Sequence, residues 1–138
     1  SEVDRDEQDR VVGLVFLMDP ISDAEIKAIV NFPHLRTLRI QECRGITDAS
    51  FEVIATLPEL VKLELLHSSI TDEGLAHLGR ARKLNELSLI HANITGSGLS
   101  SLSDLDLHQL RVIGHTTTAA GLSSVSELTK LKELELNN

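Results

Sequence analysis

Apolar side chains recur along this chain at the spacing i, i+3, i+5, with polar residues between them. The spacing returns six times, as Val11-Leu14-Phe16, Leu35-Leu38-Ile40, Leu60-Leu63-Leu65, Leu84-Leu87-Leu89, Leu107-Leu110-Val112 and Leu131-Leu134-Leu136, at steps of 23 to 25 residues. The last two apolar positions of each run alternate with polar ones, which is the period of a strand with one buried face. A fixed step of this length predicts a solenoid, in which each unit buries its apolar side only against its neighbours. Six strands are expected, beginning near residues 12, 36, 61, 85, 108 and 132.

The stretches between the strands share a second pattern. An apolar residue precedes a hydroxyl residue at Ile21-Ser22, Ile46-Thr47, Ile70-Thr71 and Ile94-Thr95. A Ser or Thr there is placed to cap a helix N-terminus. Ser22 with Glu25 reads as a capping box, and Asp23, Asp48 and Asp72 fall in the first turn, where the helix dipole favours negative charge. Short helices follow, with apolar pairs such as Leu75 and Leu78, and Pro33 and Pro58 close two of them. Strands separated by helical returns must run parallel. Strands pack about 4.8 Å apart and helices about 8–10 Å apart, so the stack curves with its strands on the concave side. The expected class is α/β: a curved horseshoe segment with parallel strands inside and short helices outside.

The stretches LRTLRIQECRGITDASFEVIATLPEL (35–60) and ITDEGLAHL (70–78) resemble leucine-rich repeats. The first is similar to the cysteine-containing type found beside F-box domains, and the second to bacterial repeat proteins built on ITDxGLxxL. The resemblance spans residues 11–138. It implies a horseshoe fold and a protein-binding role, but no F-box is present to imply a ubiquitin-ligase adaptor. The family's ninth repeat position holds an inward Asn or Cys, whereas this chain has Asp19, Cys43, Ser68, Ala92 and His115 there. Repeat five departs furthest, with Thr117 where other repeats have Ile. A buried Thr117 hydroxyl would make that repeat the soft point of the stack.

One domain is expected, with residues 1–10 as a polar leader or frayed cap and residues 11–138 as five full repeats plus a sixth strand. The formal charge is −8, of which −3 belongs to the first ten residues. The remaining acidic surface, and the absence of Trp and Tyr, argue against nucleic acid as a partner. They argue equally against an anionic membrane surface, and no apolar run has the length of a membrane span. Cys43 is the single cysteine, so neither an intrachain disulfide nor a thiolate metal cluster is expected. The compartment is not readable from these features.

Strand alternation assigns three concave rows. Leu17, Gln41, Leu66, Ile90, Ile113 and Asn137 form one row, expected to expose an aliphatic strip that meets a partner, the next repeat or a flanking domain. Val15, Arg39, Glu64, Ser88, Arg111 and Glu135 form a row of mixed charge, with Arg36, Lys62 and Lys132 beside it. Such a row either steers a partner or keeps the strands soluble. Met18, Glu42, His67, His91, Gly114 and Asn138 form the third row, in which Glu42, His67 and His91 are weak candidates for a divalent metal. Those histidines also suit a pH sensor, or stand free in solvent. The partner-binding set is therefore Leu17, Arg39, Gln41, Glu64, Leu66, His67, Ser88, Ile90, His91, Arg111 and Ile113.

No catalytic constellation is legible. No serine stands in a nucleophile elbow, and Thr116-Thr117-Thr118 lacks the Gly-Lys of a phosphate loop. Gly96 and Gly98 read as turn glycines. The expected function is a non-catalytic protein-binding or scaffold module without a cofactor. The alternative is a structural spacer in a larger cell-surface or effector protein whose activity lies elsewhere. The chain stops at LELNN on a strand, and terminal repeats need capping. That edge is expected to be exposed, to pair with another chain in self-association, or to be followed by further sequence.

Overall fold

Each LxxLxL run forms a strand whose apolar residues point to one side. The computed structural model describes residues 1–18, 21–114 and 118–137. In chain order the elements are β1 (Glu2–Arg5), β2 (Val11–Leu17), α1 (Asp23–Ile26) running into a 3-10 segment (Lys27–Asn31), β3 (Thr37–Gln41), α2 (Asp48–Ile54), β4 (Lys62–Leu66), α3 (Asp72–Leu78), β5 (Glu86–Ile90), a second 3-10 segment (Ser97–Leu102), β6 (Gln109–Ile113), α4 (Ala119–Val125) and β7 (Glu133–Asn137). The sheet runs in strict sequence order from β1 to β7. From β2 to β7 the strands are parallel, with Leu14, Leu38, Leu63, Leu87, Leu110 and Leu134 in register.

Register is what builds the core. Leu38, Leu63, Leu87 and Leu110 are buried in one ladder, and Ile40, Leu65, Leu89 and Val112 in the next. Leu57, Leu60, Ile54, Leu75, Leu78 and Leu102 close the same core from the helical side. A one-residue slip would turn both ladders to solvent, so the pattern specifies the pairing strongly. At β7, the last of the described strands, Leu134 is 46% exposed against 0% for Leu110.

One strand lies outside the six expected. β1 pairs antiparallel with β2, with Val3 opposite Leu14. Glu2–Arg5 has a single apolar residue and all four side chains are exposed, so no burial pattern announced it. Its turn is held by Asp6, which accepts from the Gln8 and Arg10 backbone at 2.9 and 3.0 Å and from Arg10 Nε at 2.7 Å. The hydrogen bond from Arg10 brings the Asp6 carboxyl down to about 2.

Three of the four expected capping residues are where the pattern placed them; in repeat four the N-cap is Gly96 and not Thr95. Ser22 and Glu25 form the capping box, while Thr47 and Thr71 accept from Ala49 N and Glu73 N. The first-turn aspartates do more than complement a dipole. Asp23 accepts from Thr47 N at 2.9 Å and Thr47 Oγ1 at 2.7 Å, and also from the Ser50 hydroxyl. Asp48 accepts from Thr71 N at 2.9 Å and Thr71 Oγ1 at 2.6 Å. Asp72 accepts from Thr95 Oγ1 at 2.5 Å and Gly98 N at 3.1 Å. Each aspartate thus ties its own helix start to the cap of the next repeat.

The ladder stops at repeat four, where Gly96 replaces the aspartate. Gly96 has φ +90 and a Cβ there would lie 2.8 Å from Gly121 Cα, so glycine is required by both conformation and space. Repeat four, with Gly96 as its N-cap, makes a 3-10 segment where α2 and α3 are α-helical. Among the ninth-position residues, Cys43 and Ala92 are buried, and Cys43 Sγ donates to Gln41 O at 3.3 Å. Asp19, His115 and Thr117 lie outside the described residues, as do Thr116 and Asn138.

Candidate functional site

The concave face is graded from one lateral edge to the other. On β3 to β6 the first two outward positions of each strand are polar, and the third is aliphatic on β4, β5 and β6. This gradation follows from the parallel register, which places equivalent residues of every repeat side by side.

The polar half is an ion-pair lattice. Lys62 lies 3.1 Å from Glu64 and 3.4 Å from Glu86, Arg39 lies 3.8 Å from Glu64, and Arg111 lies 2.7 Å from Glu135. Gln109 donates to Glu133 at 2.7 Å. The Glu64 carboxylate holds the Lys62 ammonium above the ordinary lysine value, against the opposing effect of burial. Half-exposed pairs of this kind contribute about 0–1 kcal/mol each. Their larger consequence is that Lys62, Glu64, Glu86, Arg111 and Glu135 have partners within the chain, whereas Arg39 Nε is buried without a hydrogen bond. Ser88 is the small residue in the middle row, and a shallow trough opens there between Glu64, Glu86, Gln109 and Arg111.

The aliphatic half is only partly as expected. Leu17 is 38% exposed, but Leu66, Ile90 and Ile113 are half-buried, as is Gln41. Side chains stacked in register on adjacent strands shield one another, so a continuous strip exposes less than the sum of its parts. The strip still faces outward from the sheet, opposite the ladders of the core.

The third row is a rim rather than part of the sheet floor. Met18, Glu42, His67 and His91 have φ between 50 and 54, and Gly114 has φ 76. Their amides continue the sheet ladder: Met18 N donates to Gln41 O, Glu42 N to Leu66 O, His67 N to Ile90 O and His91 N to Ile113 O, at 2.7–3.0 Å. The left-handed turn then carries the chain off the sheet. Periodicity could not reveal this, because a strand template assigns every residue an extended conformation.

His67 and His91 stack, with ring centroids 4.5 Å apart and planes 16° from parallel. His91 in turn lies over Gly114, where a Cβ would overlap its ring. Imidazole lone pairs lie in the ring plane, so two nearly parallel stacked rings do not aim at one point. Among the described residues no three His, Cys, Asp or Glu groups converge as a metal site. Glu42 sits across a shallow hollow from His67, with Arg44 beside it.

Among the described residues no helix is long and apolar enough to cross a membrane. The leucine-rich repeat family model matches residues 80–103, one repeat of the stack. No curated protein matches the chain. Among solved structures, the actin-binding site 2 of leiomodin-1 aligns with a TM-score of 0.66 at 16% identity, covering 86% of this chain and 79% of that one. An internalin (inlF) from Listeria monocytogenes aligns at 0.52 and 19% identity, covering 81% of this chain and 38% of that one. The PEPR1–AtPEP1 structure aligns at 0.51 and 17% identity, covering 99% of this chain and 23% of that one. The chain therefore spans well under half the length of the latter two. At these identities the likeness is one of fold, and with the matched repeat and the strand period it makes this chain a leucine-rich-repeat solenoid.

Proposed function

We propose that this chain is a non-catalytic protein-binding module that uses its concave strand face. The observation that carries the reading is the strip of Leu66, Ile90 and Ile113, half-buried on an open sheet face and bordered by a lattice of paired charges. An apolar strip with a polar border is the anatomy of an interface core and rim. The charges beside it are already paired within the chain, so a partner meets little unpaired charge to desolvate on that side. The leiomodin-1 fragment of the same fold is named for binding actin, which supports a protein partner here. The acidic total charge and the lack of Tyr and Trp speak against nucleic acid.

The finer kinship to repeats of the ITDxGLxxL type is part of the same proposal. In that motif Gly74 sits where a Cβ would meet Asp48 Oδ1, so the glycine leaves room for the inter-repeat aspartate. The test of function is capture from a lysate by immobilised chain, read by mass spectrometry against two concave variants. Leu66→Glu and Ile90→Glu are expected to lose the specific captured species, while Thr56→Glu on the helical side keeps it. Equal capture by all three would favour the spacer reading.

Self-association through β7 is a second reading. Leu134 and Leu122 are 46% and 56% exposed, while their counterparts Leu110 and Leu99 one repeat earlier are 0% and 2% exposed. Sedimentation at rising concentration tests it, with Leu134→Glu expected to hold the chain monomeric.

A further inference from the structure

On the lateral edge where helices return to strands, two turns pair charges across repeats. In the second repeat Glu59 lies 3.5 Å from Arg36 and 4.0 Å from His34. In the fourth, Asp106 lies 3.5 Å from both Lys130 and His108. Between them, the turn joining α3 to β5 carries Arg80, Arg82 and Lys83, all exposed. Among the described residues none of these three has an ion pair or side-chain hydrogen bond.

The turn is a fixed platform. Ala81 and Leu84 are 1% and 0% exposed, and the backbone is pinned by Ala81 N to Leu78 O and Leu84 N to Ala81 O, both 2.9 Å. The helix dipole does not account for the three cations. Neither α1, α2 nor α4 has a basic residue in its last turn, and those helices form without one. Three unpaired cations displayed together in a chain of net charge −8 point outward to a partner.

We propose that the Arg80–Lys83 turn docks a short acidic segment of a protein partner, separately from the concave face. Carboxylates fit better than phosphate here. Phosphate is favoured at helix N-termini, where backbone amides converge on it, whereas this turn follows the C-terminus of α3 and offers side-chain cations alone. Glu59 on one side and Asp104 and Asp106 on the other border the turn, which limits the attractive surface to about one repeat's width, the 4.8 Å strand spacing. An extended chain rises about 3.3 Å per residue, so an acidic segment meets the three cations by running along the turn and not across the repeats.

The experiment is fluorescence anisotropy with a labelled decapeptide of alternating Asp and Glu at low ionic strength. Wild-type protein is expected to bind it, and to release it as salt shortens the screening length below about 8 Å. Arg82→Glu/Lys83→Glu and Arg82→Gln/Lys83→Gln are both expected to lose about tenfold or more in affinity. Arg44→Glu, at an exposed cation on another repeat, and Leu66→Glu, on the concave face, are expected to bind as wild type. Circular dichroism melts confirm that each variant is folded. Failure of wild type to bind, or undiminished binding by folded double variants, overturns the site. Tighter binding of a phosphoserine peptide of equal charge overturns the carboxylate assignment.

Discussion

Asp48 accepts two hydrogen bonds from Thr71, its residue's counterpart cap in the next repeat: one from the amide at 2.9 Å and one from the hydroxyl at 2.6 Å. The same Thr71 hydroxyl oxygen accepts from Glu73 N at 3.2 Å, so one threonine caps its own helix and binds the preceding one. Asp48→Ala removes both inter-repeat bonds and leaves the half-buried cap without its acceptor. Hydrogen bonds to charged groups are worth about 1.5–3 kcal/mol. A loss in that range is expected in urea unfolding, and Glu52→Ala on the same helix serves as the exposed control. Gly74→Ala should also destabilise, although Ala is the better helix former, because its Cβ would displace the Asp48 carboxylate. A gain in stability from Gly74→Ala would show that the aspartate ladder has slack.

Acid sensitivity follows from the same ladder. Burial pushes the Asp23 carboxyl up, but hydrogen bonds from the Ser50 hydroxyl and from the Thr47 amide and hydroxyl outweigh it, leaving it below its ordinary value. Asp72 behaves alike: burial raises it, and donors from Thr95, Gly98 and Ser97 bring it below the ordinary value. A carboxyl held lower in the folded chain than in the unfolded one contributes stability that is complete above the unfolded value. That contribution is lost as pH falls through the folded one. Stability should therefore decline below about pH 4, the ordinary carboxylate range. Asp23→Asn/Asp72→Asn should lower stability at pH 7 and flatten its pH dependence below pH 4. Denaturant midpoints across that range make the measurement, and an unchanged acid slope would remove the ladder as its source.

Much of this fold was legible because one period repeats. Six runs in phase placed six strands to within a residue or two, and Ser22, Thr47 and Thr71 cap where the pattern put them, whereas Gly96 and not Thr95 is the N-cap in repeat four. Two features escaped for physical reasons. β1 carries Val3 alone and buries nothing, so it leaves no trace in hydrophobic spacing. The bonds from Asp23, Asp48 and Asp72 reach across repeats, and a helix-dipole rule sees only their own first turn. Of the concave residues, the polar row was assigned to the correct face, but the lattice joining Lys62 to both Glu64 and Glu86 needs side-chain geometry. The rim residues were read as strand because no local signal marks a left-handed Glu42 or His67.

The left-handed rim makes a prediction of opposite signs. A non-glycine residue in this conformation is strained by about 1–2 kcal/mol. Glu42→Gly should recover part of that strain and raise the melting temperature. Gly114→Ala should lower it, since φ is 76 and the new Cβ would overlap the His91 ring. If the overlap matters, His91→Ala should rescue part of the Gly114→Ala loss. Simple additivity in that double-mutant cycle would mean that the loss is backbone strain alone.

The two partner-face substitutions have a definite cost as well as a functional outcome. Leu66 and Ile90 are half-buried, so Leu66→Glu and Ile90→Glu each forfeit part of an apolar side chain's burial, about 1 kcal/mol or more. Both point away from the core ladders, and cooperative melting at a lower temperature is expected. Loss of cooperative unfolding in either single variant would mean that the strip is core and not surface.

Zinc separates the stacked histidines from a chelating pair. A ligand that binds only the folded state raises the melting temperature by mass action. His67 and His91 face one another at 4.5 Å with planes 16° apart, and their in-plane lone pairs diverge from any common point. To share one ion, both rings would have to unstack and turn edge-on, and His91 would leave the seat that Gly114 provides. Zinc is therefore expected to leave the melting temperature unmoved at pH 7. A zinc-dependent rise that disappears in His91→Ala would show that the rings rotate into a site. A rise that survives His91→Ala would place the metal on other side chains.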